Sequence, residues 1–125
     1  MLEIKTSEQA NDVVLIEVTG EISFENSDEL RNTIDKITET KNKIVIDLAG
    51  LKYMSSAGMG VLVHALKNTR SRGGDCKLVN LTEKMHRVFL ITQFTNHFEI
   101  MSSVEAAISS FANNQLENGR WFLFL

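Results

Sequence analysis

Apolar positions along this chain change their period several times, and each change marks an element. Residues 2–5, Leu-Glu-Ile-Lys, alternate with period two. Residues 13–18, Val-Val-Leu-Ile-Glu-Val, form a β-rich run between Asn11-Asp12 and Thr19-Gly20. Together they predict an opening hairpin. From Asn26 to Lys41 the period lengthens. Leu30, Ile34 and Ile37 fall on one helical face, while Asp28, Glu29, Arg31, Asp35, Lys36 and Glu39 cover the others. Asn26 with Glu29 three positions on reads as a variant capping box. Residues 43–48, Lys-Ile-Val-Ile-Asp-Leu, are apolar with little alternation, which is the pattern of a strand covered on both faces.

The second half repeats the alternation of strand and helix. Residues 58–70 predict a helix with Met59, Leu62, Val63 and Leu66 inward, stopped by Gly73-Gly74. Residues 76–81 read as a strand, and Thr82 opens a short helix with Met85, Val88 and Phe89 inward. Residues 98–101 read as a short strand. Ser102 and Glu105 form a capping box before a last helix whose inward set is Val104, Ala107, Ile108 and Phe111. Alternating strands and helices imply right-handed crossovers and a mostly parallel sheet. The expected architecture is α/β, one domain, with a mixed, mostly parallel sheet of four to five strands and about four helices mainly on one face.

Composition narrows the classes. A length of 125 residues suits one domain, and 43% hydrophobic with 23% charged residues is ordinary for a soluble globular chain. A net charge of -3 without a basic block supplies no footprint for nucleic acid. The lone Cys76 cannot form an internal disulfide and reads as a small packed residue. The amino terminus, Met-Leu-Glu-Ile-Lys-Thr, has no signal-peptide pattern, and no stretch approaches the roughly 20 apolar residues of a membrane span. A cytoplasmic location is expected. His64, His86 and His97 each stand alone in sequence and read as solvated or capping residues, so neither a metal nor another cofactor is expected.

Chemistry concentrates in residues 47–63. A strand ends, a short loop follows, and Ser55-Ser56 stand immediately before a glycine-punctuated helix start. A serine there is a natural N-cap, and the first free backbone N–H groups of the helix can also hold a phosphate. Gly58 and Gly60 lack a Cβ and so allow a second backbone or a phosphate to approach. Enzyme motifs fail one by one. A nucleophile elbow would need glycine where Met54 stands, a dinucleotide fingerprint from Gly58 meets Val63, and the Gly-Lys-Ser/Thr of a phosphate-binding loop is absent.

This segment resembles the signature of the STAS family, specifically the bacterial anti-sigma-factor antagonists. The resemblance rests on Thr19-Gly20-Glu21-Ile22, on Met54-Ser55-Ser56-Ala57-Gly58-Met59-Gly60, and on Gly73-Gly74 followed by Cys76-Lys77-Leu78-Val79-Asn80. It implies a STAS-like domain over residues 1–113, with 114–125 as an apolar tail, and a binding protein rather than an enzyme. The implied partners are an anti-sigma factor that is a serine kinase and a separate serine phosphatase. The unphosphorylated form binds the kinase and frees a sigma factor; phosphorylation ends the contact. Ser56 falls at the acceptor position and Ser55 is the secondary candidate. The resemblance implies a partner surface of Glu21, Ser23, Phe24, Ser55, Ala57, Gly58 and Met59, extended by Thr82 and Glu83. Ser55 and Ser23 stand where the family pattern has acidic residues, and Ala57 stands where it has Ser or Thr. The alternative is a non-phosphorylated STAS subunit of a larger assembly, such as a bacterial lipid-transport complex. The tail, ending Arg120-Trp121-Phe122-Leu123-Phe124-Leu125, is expected to pack on its own sheet, on a second copy as a homodimer, or in a partner's groove.

Overall fold

Each parallel strand adds to the sheet on the same side of the one before it, and this fixes where the helices go. The computed structural model describes residues 1–112. Its strands are β1 (Leu2–Glu8), β2 (Val14–Ile22), β3 (Lys43–Met54), β4 (Asp75–Val79) and β5 (Ile100–Met101), in the spatial order β1-β2-β3-β4-β5. β1 pairs antiparallel with β2, and every later pair is parallel. Right-handed crossovers that step in one direction leave their helices on one face. α1 (Ser27–Thr38), α2 (Ser56–Ser71) and α3 (Glu83–Ile91) are those crossovers. A fourth helix, α4 (104–112), follows β5 with no further strand among the described residues to reach, and it covers the opposite face.

The two faces carry separate cores. Beneath α1, α2 and α3, the fully buried Ile16, Ile22, Leu30, Ile34, Ile44, Ile46, Leu62, Leu78 and Phe89 belong to one continuous cluster. Each such side chain contributes about 1.5–3 kcal/mol on removal from water. Under α4, a smaller cluster joins Val13, Leu15, Val45 and Val79 to Ala107 and Phe111. β2, β3 and β4 are therefore buried on both sides, which is why their sequences run apolar rather than alternate. Lys77 of β4 points into the second core and is fully buried. Its ammonium donates to Ser110 Oγ, lies 3.6 Å from Glu99 Oε2 and sits 4.2 Å from the Phe111 ring centroid.

Several local expectations are corrected. Asn26 does not cap α1 through its side chain, and its backbone is itself helical; the amide instead braces the preceding loop. Ser103, not Ser102, caps α4, accepting from Ala106 N at 3.1 Å. The strand expected over 98–101 is only Ile100–Met101, and Phe98 packs with Phe89 and Phe94. α2 buries Gly58, Val61, Leu62, Ala65, Leu66 and Thr69, so its inward face is rotated and Met59 and Val63 lie only half-buried at its margin. A helix apolar on most sides has no single stripe for the sequence pattern to identify.

β2 and β3 both outrun their apolar cores. β3 has 12 residues and continues through Leu51-Lys52-Tyr53-Met54, paired with Gly20-Glu21-Ile22 across a register shift at Gly20/Glu21. Gly20 has φ +100, and a Cβ there would fall 2.0 Å from the Met1 carbonyl oxygen. The bare backbone lets Met1, the residue before β1, lie against the irregular stretch, where Glu21 N donates to that carbonyl at 3.0 Å.

Candidate functional site

The extended ends of β2 and β3 set up the site. Glu21 lies beside Tyr53 and Ile22 beside Met54 in parallel register. Ser55 N then donates to the Ile22 carbonyl at 2.8 Å, which carries the pairing one step past β3. At Ser55 the backbone is still extended (φ -77, ψ 171), and at Ser56 it becomes α2.

Adjacent serines thus acquire opposite environments. Ser55 is 7% exposed, and its Oγ accepts from Gly58 N at 3.4 Å as the N-cap. Ser56 is exposed as the first helical residue. The N–H groups of Ser56 and Ala57 precede Met59 N, which donates to the Ser55 carbonyl as the first intrahelical donor, so they carry the positive end of the helix dipole. Gly58 is buried, and a Cβ built on it would lie 2.5 Å from Met54 Cγ and 2.8 Å from Ile22 Cγ2. Its role is therefore to seat α2 on the strand ends. The expectation that Gly58 opens room for an incoming phosphate is overturned, because Met54 and Ile22 fill that room. Gly60, by contrast, has open space around its Cβ position.

A braced loop completes the surface. Asn26 Oδ1 accepts from Ser23 N at 2.8 Å, and Asn26 Nδ2 donates to the Glu21 carbonyl at 3.0 Å. Ser27 N donates to the Ser23 carbonyl at 3.0 Å. Held this way, Phe24 stands 72% exposed. The Glu25 carboxyl is kept below its usual range by its own backbone N–H and then by the Ser23 hydroxyl. The sequence reading gave no role to Tyr53 or Glu25. Tyr53 is 50% exposed at the end of β3, and the signal for it was the return of polar positions at Lys52-Tyr53 after the apolar run.

The Ile22–Ser55 bond thus places the loop that carries Glu21, Ser23 and Phe24 at the junction of β3 with α2, where Ala57 and Met59 lie half-buried on the first turn. Thr82 and Glu83 are engaged on α3. Thr82 caps it by accepting from Met85 N, and exposed Glu83 pairs with Arg87 at 3.2 Å. None of their described hydrogen bonds or ion pairs reaches the Ser56 surface.

Other candidates recede. His64 does not stand alone: its Nε2 lies 2.6 Å from Asp35 Oδ1, tying α2 to α1. His86 and His97 are exposed. Among the described residues no group of three or more His, Cys, Asp or Glu side chains could hold a metal, and no helix is long and apolar enough to cross a membrane. Cys76 is buried, and desolvation pushes its thiol far above the ordinary range. The tail over 114–125 lies outside the described residues.

Comparison with known proteins bears on the same region. The STAS-domain family model matches residues 5–107. The chain is 29% identical over 107 residues to the anti-sigma-B factor antagonist of Bacillus subtilis, covering 86% of this chain and 97% of that protein. It is 33% identical over 101 residues to the protein of the same name from Listeria monocytogenes, covering 79% and 88%. Among solved structures, unphosphorylated SpoIIAA superposes with a TM-score of 0.71 at 19% identity, over 89% of this chain and 98% of that one. The phosphorylated form of this Bacillus cell fate determinant gives 0.70 at 19% identity, over 86% and 98%. At that identity the likeness establishes the fold.

Proposed function

The chain belongs to the STAS-domain family, and from that premise we propose that it is an anti-sigma-factor antagonist switched by phosphorylation of Ser56. In the unmodified state it docks on an anti-sigma factor that is also a serine kinase, and the sigma factor is released. The kinase transfers the γ-phosphoryl group of ATP to Ser56 Oγ, the hydroxyl proton leaves to a base of the kinase, and ADP departs. A serine phosphatase restores the hydroxyl by hydrolysis. The reading assigns the protein to the cytoplasm.

The observation that carries this proposal is the contrast between the two serines. Ser56 presents an exposed hydroxyl at the electropositive start of α2, whereas Ser55 is sealed in as the cap. Ser55 is therefore a poor second acceptor. Phosphate adds about -1.5 to -2 charges at Ser56. Within the antagonist the helix end stabilises that charge by about 0.3–1 kcal/mol, so the fold tolerates it. In a desolvated contact the same charge adds to those of Glu21 and Glu25 on the adjoining loop. Mismatched buried charge costs several kcal/mol of binding. The switch then works by repulsion at the interface, without refolding.

The names of the relatives support this over a subunit of a lipid-transport assembly, since they are called anti-sigma factor antagonists. Incubation with an anti-sigma serine kinase and ATP, followed by mass spectrometry, tests the site. Modification at Ser56 is expected, and Ser56→Ala should abolish labelling while keeping the kinase bound. Labelling confined to Ser55, or none at all by any such kinase, would refute the assignment.

A further inference from the structure

Away from the Ser56 surface, a cavity of about 590 Å³ opens between α2 and the single 3-10 turn Phe94–Asn96 that follows α3. Val63, Leu66, Lys67 and Arg70 line one side at helical spacings of three, one and three, so they form one stripe of α2. Phe94 and His97 line the other side. Phe94 is backed by Phe89, edge to face at 5.7 Å, and by Phe98 at 6.1 Å. The size falls in the range of about 300–1,000 Å³ typical of small-molecule sites.

The polar groups are unevenly satisfied. Arg70 is fixed: its Nε donates to Asp75 Oδ1 at 3.1 Å and its Nη2 to the His97 carbonyl at 2.8 Å. Asp75 offsets that charge. Lys67, one turn earlier and exposed, has no ion-pair partner among the described residues. The cavity therefore combines an apolar wall, a guanidinium locked in place and an uncompensated ammonium at its rim. A neutral apolar molecule would leave the ammonium unanswered, and a cation would be repelled by it. A compact molecule with an alkyl or aryl body and one carboxylate satisfies both parts.

We propose that this cavity is a binding site for a small amphiphilic carboxylate, with Val63, Leu66 and Phe94 receiving the apolar body and Lys67 pairing with the anionic head. Val63 lies seven residues beyond Ser56 on the same helix, about 10 Å along the axis. The site is separate from the phosphorylation surface, and it stands whether or not Ser56 is modified.

Amide chemical shifts of the isotope-labelled full-length protein, titrated with sodium octanoate and separately with octylammonium, test the assignment. Octanoate should produce saturable shifts centred on residues 63–70 and 94–97, and octylammonium should not. Lys67→Glu, at an exposed position, should leave the melting temperature unchanged and weaken octanoate about tenfold. Equal response to both amphiphiles overturns the proposal. So does an unchanged affinity in Lys67→Glu, an absence of shifts at millimolar octanoate, or shifts centred instead on the exposed Leu90 and Ile91.

Discussion

Ser55 and Ser56 differ by one position and by nearly everything that decides reactivity. Ser55 gives its hydroxyl oxygen to the helix start, and a kinase would have to break that cap to reach it. Ser55→Ala should cost about 1 kcal/mol in denaturant unfolding, with labelling at Ser56 retained. The two glycines of this turn make a matched pair. Gly58→Ala forces a Cβ against Met54 and Ile22 and should destabilise by about 1–3 kcal/mol. Gly60→Ala meets open space inside a helix and should stabilise by about 0.5–1 kcal/mol. Thermal melts of the two variants shifting in the same direction would contradict this packing account. Lys77 offers a third test. Lys77→Ala should cost about 2–4 kcal/mol through the void it leaves, whereas Lys77→Met keeps the volume without burying a charge and should fold at least as stably to within about 1 kcal/mol.

At the level of elements, the junction of β3 with α2 and the loop after β2 act together. Asn26 holds that loop at both ends, bonding to Ser23 N and the Glu21 carbonyl. Asn26→Ala should therefore weaken partner binding about tenfold by loosening Phe24 and Glu25, with α1 still formed by circular dichroism. Periodicity located β2, β3, β4 and the three crossover helices because each has a buried face. It shortened β3 to residues 43–48, since the strand beyond Leu48 loses its unbroken apolar run, and there pairing with β2 decides the structure. Caps were harder to read than faces. Asn26 and Ser102 have the right chemistry at nearly the right place, but which side chain reaches a free N–H depends on how the chain enters the helix. The Ser56 site was legible as a motif. The burial that separates it from Ser55 was not, because it arises from the Ile22–Ser55 bond between segments 33 residues apart in sequence.

Across the whole molecule, one sheet serves two cores, and the surface around Ser56 lies at its carboxyl end, outside both. A rigid platform of this kind suits a switch that works by charge. β2 and β3 are packed on both faces, the loop is braced, and Ser56, the proposed acceptor, lies on the first turn of a 16-residue helix. The buried Cys76 belongs to that platform, so native protein should resist thiol alkylation at mildly alkaline pH and react only when unfolded. The proposed switch requires that a negative charge at residue 56 abolish docking while the fold stands. The decisive experiment is calorimetric titration of the anti-sigma kinase with wild type and with Ser56→Asp, both showing the same amide spectrum outside the first turn of α2. Wild type should bind and Ser56→Asp should lose at least about a hundredfold in affinity; equal affinity of the two proteins would overturn the switch.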